Sequence, residues 1–234
     1  MDLAYANVTG RPTSRLVRVA SAVSRGVAAV QRQHAPYAQA WHAANLAVLD
    51  RPGPRWIVLG DSMSQGIGAK AFDRGWVNQL DARLAVEGLG LPIVNLSASG
   101  ARVPDVLSQQ LPAWQAVRSE DDLVTVLIGS NDLMSKVHRD TLPARFAELI
   151  DRLPNGAIVA TMPQPRAAAS AVNSLLRAAE ERGKLRLVDL RRSGPSSWRG
   201  RLAADHFHPN ELGYAGIAEA FYAPVREARQ PPDA

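Results

Sequence analysis

Short apolar runs alternate with helix-like stretches from Trp56 onward, and this alternation is the feature that most constrains the fold. Five runs have the length and aliphatic content of buried strands, at 56–59, 92–96, 123–128, 157–161 and 185–190. Helix-like stretches follow these runs at 75–87, 104–117, 143–153, 167–182 and 211–226. Strands that alternate with helices form a parallel sheet covered by helices on both faces. The sequence therefore predicts an α/β protein with a five-stranded parallel sheet.

The length and composition are those of one globular domain with appendages. The chain has 234 residues, and 46% of them are hydrophobic, which is enough for a core of ordinary size. We expect the domain at 56–228, preceded by a helical extension and linker at 1–55 and followed by a flexible tail at 229–234. The chain contains no cysteine, which excludes disulfides, thiolate metal sites and a cysteine nucleophile.

The net charge of +5 belongs to the N-terminal segment and not to the predicted domain. Of the 27 basic and 22 acidic residues, seven arginines and two aspartates lie in residues 1–55, which leaves 20 of each sign in the rest. A neutral domain lacks the electrostatic attraction on which binding to nucleic acid depends. We therefore expect no nucleic-acid partner.

The N-terminal segment has a helical pattern of its own. Five apolar residues share one helical face, namely Leu16, Ala20, Val23, Val27 and Val30. Pro36 is expected to end or kink this helix, and a second short helix follows it. For residues 14–50 three interpretations stay open: packing on the domain or on a second subunit, peripheral contact with an anionic membrane surface, and disorder.

Membrane spans and export signals are not predicted. No stretch approaches the roughly 18 apolar residues that a spanning helix needs. The nearest match to a signal peptide, residues 16–30, is interrupted by Arg18 and Arg25. We expect a cytoplasmic protein, with peripheral membrane contact as the alternative.

Small and polar residues follow four of the predicted strands. They form the segments Gly60–Gly66, Asn95–Gly100, Gly129–Asp132 and Asp205–Asn210. In parallel sheets, ligands bind beyond the carboxyl ends of the strands. We therefore expect these four segments to meet at one edge of the sheet and to form the functional site.

The residue types in these segments are those that acyl transfer requires. Ser62 supplies a hydroxyl nucleophile, His208 a base, and Asp205 an acid that orients the base. The backbone amides of Ser62 and Gly100 and the side-chain amide of Asn131 are donors for a developing oxyanion.

The four segments also resemble, in order, the sequence blocks of the SGNH (GDSL-type) hydrolase family, over roughly residues 56–225. The matching residues are Gly60-Asp61-Ser62, Gly100, Gly129-Ser130-Asn131-Asp132 and Asp205-His206-Phe207-His208-Pro209. The family name has a leucine where this chain has Met63, a similarly apolar residue. The N-terminal 55 residues lie outside the resemblance.

The resemblance implies a flavodoxin-like, three-layer αβα fold and hydrolysis of esters or thioesters with no cofactor and no metal. It implies Ser62 as the nucleophile, His208 as the base and Asp205 as its partner. Ser62, Gly100 and Asn131 would form the oxyanion hole. The implied substrate is a small-molecule or lipid ester.

Several alternatives remain at the level of sequence. Ser64 is a rival nucleophile and His206 a rival base, and the segment Gly60–Ser62 also fits a simple strand-to-helix turn. Asp132 is expected to brace the Asn131 loop. The alternatives to a hydrolase are an acyltransferase of the same mechanism and a non-catalytic ligand-binding protein on the same fold. Three further histidines, His34, His42 and His138, are interpreted as surface or packing residues.

Overall fold

A five-stranded sheet forms the centre of the computed structural model, which describes residues 3–230. Its strands are β1 (Trp56–Gly60), β2 (Ile93–Asn95), β3 (Leu123–Leu127), β4 (Ala157–Ala160) and β5 (Leu185–Val188). All neighbouring strands are parallel, and their order is β2-β1-β3-β4-β5. This is the flavodoxin-like order, so the predicted fold class is confirmed.

Helices cover both faces of the sheet. The N-terminal helices are α1 (Arg15–Val23), α2 (Arg25–Gln31) and α3 (His34–Leu49). Those that follow are α4 (Trp76–Val86), α5 (Val103–Asp105), α6 (Leu111–Val117), α7 (Ser130–Met134), α8 (Lys136–Arg152), α9 (Ala167–Glu181) and α10 (Glu211–Arg229). A short 3₁₀ turn spans Phe72–Arg74, and a π-helical segment, Val106–Gln110, joins α5 to α6.

Side-chain alternation along the buried strands divides the interior into two cores. In β1, Ile57 and Leu59 face the core that packs against α6, α8 and α9. Trp56 and Val58 point the other way, into the core formed with α4 and α10. The result is three layers, helix on sheet on helix, with the carboxyl ends of the strands left free for loops.

Two helices predicted within the domain differ from those observed. The helix predicted at 143–153 begins at Lys136, and Pro143 lies inside it. The helix predicted at 104–117 is interrupted by the π segment, which brings the buried side chain of Gln110 against the end of β1. One extra residue in a helical turn re-aims the side chains that follow it.

The single helix predicted at 16–30 is wrong. Ser24 has an extended backbone that ends α1, and its hydroxyl accepts a hydrogen bond from Val27 at the start of α2. Pro36 does not end a helix either: it lies in the first turn of α3, where a missing N–H costs no helical hydrogen bond. The side chain of Leu16 lies outside the described part of the chain.

The N-terminal segment packs on the domain, which is the first of its three interpretations. Val30 and Tyr37 are buried against Ile67, and Trp41 and Leu49 enter the two main cores. The domain boundaries stay predictions. At the other terminus α10 continues to Arg229, and residues 231–234 of the predicted tail lie outside the described residues. No helix in residues 3–230 has both the length and the apolar content to cross a bilayer.

Candidate active site

Three of the predicted site segments meet because their strands are neighbours in the sheet. Ser62 follows β1, Gly100 lies on the loop after β2, and Asn131 is in the first turn of α7, after β3. The fourth segment, with Asp205 and His208, lies on the long connection between β5 and α10. The structure therefore brings all five predicted site residues to the carboxyl edge of the sheet.

A continuous hydrogen-bonded chain links Ser62, His208 and Asp205. His208 Nε2 lies 2.9 Å from Ser62 Oγ, although the two residues are 146 positions apart. His208 Nδ1 lies 2.6 Å from Asp205 Oδ2. The other carboxylate oxygen of Asp205 accepts the backbone N–H groups of Phe207 and His208, each at 3.1 Å. This geometry fixes which imidazole nitrogen faces the serine.

The Asp205 carboxylate is held in its ionised form. Burial alone raises its pKa, but the hydrogen bond and the charge of His208 outweigh burial, with help from the two backbone N–H donors. The net result is a pKa below the ordinary value for aspartate. Asp205 is therefore a negatively charged partner for any positive charge that forms on His208.

The rival residues Ser64 and His206 lie outside the hydrogen-bonded chain of Ser62, His208 and Asp205. Ser64 is buried, and within residues 3–230 its hydroxyl has no hydrogen-bond partner. His206 is exposed to solvent, and its backbone has a positive φ of 54°. Neither residue belongs to the hydrogen-bonded chain.

The turn that carries Ser62 is fixed by buried polar groups on both sides. The side-chain amide of Gln110 donates to the Gly60 carbonyl at 2.8 Å and accepts the Gly60 N–H at 2.9 Å. Gly60 itself has no room for a side chain, since a Cβ would lie 2.5 Å from the Leu127 carbonyl oxygen. Sequence reasoning missed Gln110, because its role depends on the π segment between α5 and α6.

Asp61 joins the serine turn to the Asn131 loop. It is fully buried, and its carboxylate accepts the Met63 N–H at 3.0 Å and the Ser130 hydroxyl at 2.7 Å. Burial raises its pKa, while the Ser130 and Met63 hydrogen bonds act in the opposite direction. Asp61 thus sets the distance between two loops of the site.

The three candidate oxyanion donors come from separate loops. Gly100 is exposed at the rim and has a φ of 77°, a conformation that favours glycine. The side-chain amide of Asn131 donates to the Ala101 carbonyl at 2.9 Å and approaches Asp61 at 3.4 Å. These two hydrogen bonds orient the amide, and an oxyanion at the site would compete with Asp61 for the hydrogen of the longer one.

Asp132 braces the Asn131 loop, as predicted from sequence. Its carboxylate accepts the Val103 N–H at 3.2 Å and therefore ties α7 to the start of α5. Asp132 is 1% exposed, and burial raises its pKa from 3.8 to about 7. The negative charge of Asp61 acts in the same direction, against the Val103 hydrogen bond and the charge of Arg102.

His34 is a neighbour of the site that the sequence did not reveal. Its ring packs edge-on against His208, with the ring centroids 6.4 Å apart. Burial lowers the pKa of His34 to about 4, and the charge of His208 contributes in the same direction. His34 is therefore a neutral packing residue at neutral pH and closes one side of the His208 pocket.

A largely apolar cavity of about 390 Å³ opens beside the serine turn. Its wall includes side chains from three site segments, Met63, Ser130 and Phe207. Most of the rest of the wall comes from the loops after β4 and β5, and includes Met162, Pro163, Leu190, Trp198 and Leu202. In residues 3–230, no group of three or more histidine, aspartate or glutamate side chains is arranged to hold a metal ion.

A family model, a related sequence and solved structures similar to this chain all carry lipase, esterase or acylhydrolase names, or the name TesA. Residues 58–215 match the model of the GDSL-like Lipase/Acylhydrolase family. Esterase TesA of Pseudomonas aeruginosa is 30% identical over 170 residues, which cover 65% of this chain and 78% of that protein. A crystal structure of TesA is similar at a TM-score of 0.59 and 25% identity, and covers 74% of this chain and 99% of its own. A lipase/acylhydrolase from Enterococcus faecalis has the same fold, with a TM-score of 0.62 at 21% identity over 77% of this chain and 100% of its own.

Proposed function

The chain belongs to the GDSL-like lipase/acylhydrolase family and is a carboxylic ester hydrolase, and from this premise we propose that it works through an acyl intermediate on Ser62. The observation that carries the proposal is the unbroken chain of hydrogen bonds from Ser62 through His208 to Asp205. Serine hydrolysis needs a hydroxyl, an imidazole and a carboxylate linked in this order, and this supports the proposal.

In the first half of the reaction, Ser62 Oγ attacks the ester carbonyl carbon while His208 Nε2 takes the hydroxyl proton. The Asp205 carboxylate stabilises the imidazolium that forms and keeps its ring in place. The carbonyl oxygen becomes an oxyanion, which accepts hydrogen bonds from the Ser62 and Gly100 amides and from Asn131. The carbon–oxygen bond to the alcohol then breaks, and the departing oxygen receives the proton from His208.

In the second half, water takes the place of the alcohol. His208 removes a proton from the water as its oxygen attacks the acyl carbon, and the second tetrahedral intermediate uses the same oxyanion donors. Its collapse releases the carboxylic acid and returns the proton to Ser62. An acyltransferase would follow the same steps with a second alcohol in place of water. A non-catalytic binding protein would need none of these contacts.

The cavity favours esters with a longer acyl chain over acetyl esters. Each methylene that moves from water into an apolar pocket contributes about 0.8 kcal/mol, or about fourfold in kcat/KM. The apolar wall of the 390 Å³ cavity begins at Met63, the residue after the nucleophile. We therefore propose that it receives the acyl chain, and that kcat/KM rises with chain length until the cavity is full.

Hydrolysis of p-nitrophenyl esters from C2 to C12 by the wild type and by Ser62→Ala tests both points. We expect activity that increases from C2 to longer chains in the wild type and is absent in Ser62→Ala. Equal rates in the two proteins would refute Ser62 as the nucleophile, and a maximum at C2 would refute the acyl role of the cavity. A single turnover with a slow ester, followed by intact mass measurement, would detect the acyl group on the wild type alone.

Within residues 14–50, we propose that peripheral membrane contact is a property of α1. Val19 and Val23 on this helix are 57% and 83% exposed, and Arg15 and Arg18 are exposed beside them. Exposed apolar and basic side chains on one helix fit an anionic bilayer surface. We expect the full chain to co-sediment with vesicles containing phosphatidylserine, and Val19→Ser with Val23→Ser to reduce the bound fraction. Equal sedimentation of the two proteins would contradict the proposal.

A further inference from the structure

The first residues of the structure run along the loop that carries Gly100. We call residues 3–13 the N-terminal arm and residues 96–102 the Gly100 loop. The arm lies outside residues 58–215, which match the family model, so nothing about it follows from family membership. Its contacts with the Gly100 loop are nevertheless specific and polar, and they are made by Asn7 and Arg11.

Arg11 holds the Gly100 loop through its guanidinium group. One nitrogen, Nη2, donates to the Gly100 carbonyl at 2.7 Å and to Asp105 Oδ2 at 2.8 Å, while Nη1 donates to Asp105 Oδ1 at 2.5 Å. Asp105 also accepts the Arg102 N–H at 2.7 Å. A planar guanidinium that binds a carboxylate through two nitrogens has a fixed orientation. The Gly100 carbonyl is therefore tied to the first turn of α5.

Asn7 anchors the arm in a buried network of amide groups. It is 1% exposed, and its side-chain amide donates to the carbonyls of Asn95 and Ser97 at 2.7 and 3.0 Å. Its backbone carbonyl accepts a hydrogen bond from the Gln65 side chain, which follows the serine turn. The oxygen of the same Gln65 side chain accepts the Ser99 N–H at 2.8 Å. The arm, the serine turn and the Gly100 loop therefore form one connected unit.

These contacts restrain the residues on both sides of the Gly100 N–H. The Ser99 N–H donates a hydrogen bond to the Gln65 side chain, and the Gly100 carbonyl accepts one from Arg11. The Ala101 N–H donates to the Ala98 carbonyl and closes the turn. Glycine has no side chain to restrict its backbone, so an exposed glycine at φ 77° keeps one orientation only if its neighbours are restrained.

We infer that Arg11 is a positioning residue of the oxyanion hole, which it serves by fixing the direction of the Gly100 N–H through the Gly100 carbonyl. The inference rests on the proposed role of Gly100 as an oxyanion donor. Arg11 does not itself supply charge to the oxyanion, because its guanidinium is neutralised by the Asp105 carboxylate. Its effect is confined to the transition state, in which the oxyanion exists.

The test compares Arg11→Met with Arg32→Met. The first variant keeps an apolar stem and removes the guanidinium, and the second removes an exposed arginine of the same N-terminal segment. For Arg11→Met we expect kcat on a p-nitrophenyl ester to fall about 10- to 100-fold, since a displacement of about 1 Å costs up to about 10²-fold. KM should change less than twofold, and the inhibition constant of an alkyl boronic acid should rise in proportion to the loss in kcat.

The outcomes separate this inference from the proposed function. A kcat of Arg11→Met within twofold of Arg32→Met would overturn the positioning role, as would a loss of kcat with an unchanged boronic acid constant. Ser62→Ala and Asn131→Ala are measured beside them. Retained activity in Ser62→Ala would refute the proposed mechanism itself, whereas inactive Ser62→Ala with fully active Arg11→Met would refute the inference about Arg11 alone. Thermal unfolding of both arginine variants distinguishes a local change from a loss of fold.

Discussion

Replacing Asp132 by asparagine is expected to change how stability depends on pH. Burial raises the pKa of Asp132 from 3.8 to about 7, and its carboxylate accepts a hydrogen bond from the Val103 N–H. At a pH between 3.8 and about 7, Asp132 is protonated in the folded protein and ionised in the unfolded chain. The folded state then binds more protons than the unfolded state, so the free energy of unfolding falls as the pH rises.

The size of this effect follows from the shift. Each pKa unit corresponds to about 1.36 kcal/mol, so the shift of Asp132 lowers the free energy of unfolding by about 4 kcal/mol once the pH exceeds 7. At pH 5 only about 1.6 kcal/mol of this loss has occurred. Asparagine keeps an acceptor for Val103 and carries no charge. We therefore expect the stability of Asp132→Asn relative to the wild type to increase by about 2 to 3 kcal/mol between pH 5 and pH 8.

Urea unfolding at pH 5, 6, 7 and 8 measures this difference. Asp140→Asn is the matched control, because it makes the same substitution at an exposed carboxylate of α8. Parallel curves for Asp132→Asn and the wild type would refute the reasoning, since they would mean that Asp132 titrates alike in the folded and unfolded states.

Three further substitutions test the site and its surroundings. Asn131→Ala should lower kcat about 10²- to 10³-fold with little change in KM, the usual loss for one oxyanion donor, and steady-state rates within twofold of the wild type would exclude that role. Asp205→Asn should keep the fold by circular dichroism and lower kcat about 10³- to 10⁴-fold, because asparagine no longer stabilises the charged imidazole, and retained activity would contradict the triad. Gly26→Ala should lower both kcat and Tm, because a Cβ would lie 2.1 Å from the carbonyl oxygen of Ala204, the residue before Asp205. Overpacking of this kind lowers the free energy of unfolding by about 1 to 3 kcal/mol. Gly90→Ala is the control for Gly26→Ala, because a Cβ at Gly90 makes only ordinary contacts. An equal Tm for the two variants would show that α2 can shift to accommodate the Cβ without loss of stability.

Family membership and fold class were both predictable from the sequence, and both are confirmed. The reason is that the relevant signals are local. A buried parallel strand is a short aliphatic run, and the residues that follow it lie at the carboxyl edge of the sheet whatever the rest of the chain does. The segments with Ser62, Gly100, Asn131 and His208 could therefore be assigned to one site before any distance was known. Their catalytic roles stay predictions.

The tertiary structure alone decided what surrounds that site. Gln110 reaches Gly60 through a π segment that no periodicity reveals, and Asn7 and Arg11 contact residues 88 to 94 positions away. Such partners leave no pattern in the sequence, because a buried amide or an exposed arginine is defined by the group it meets and not by its neighbours in the chain. The same holds for the N-terminal helices. The apolar character of Val30 and Tyr37 was visible in the sequence, but only the packing showed that they are buried against Ile67, at the end of the serine turn.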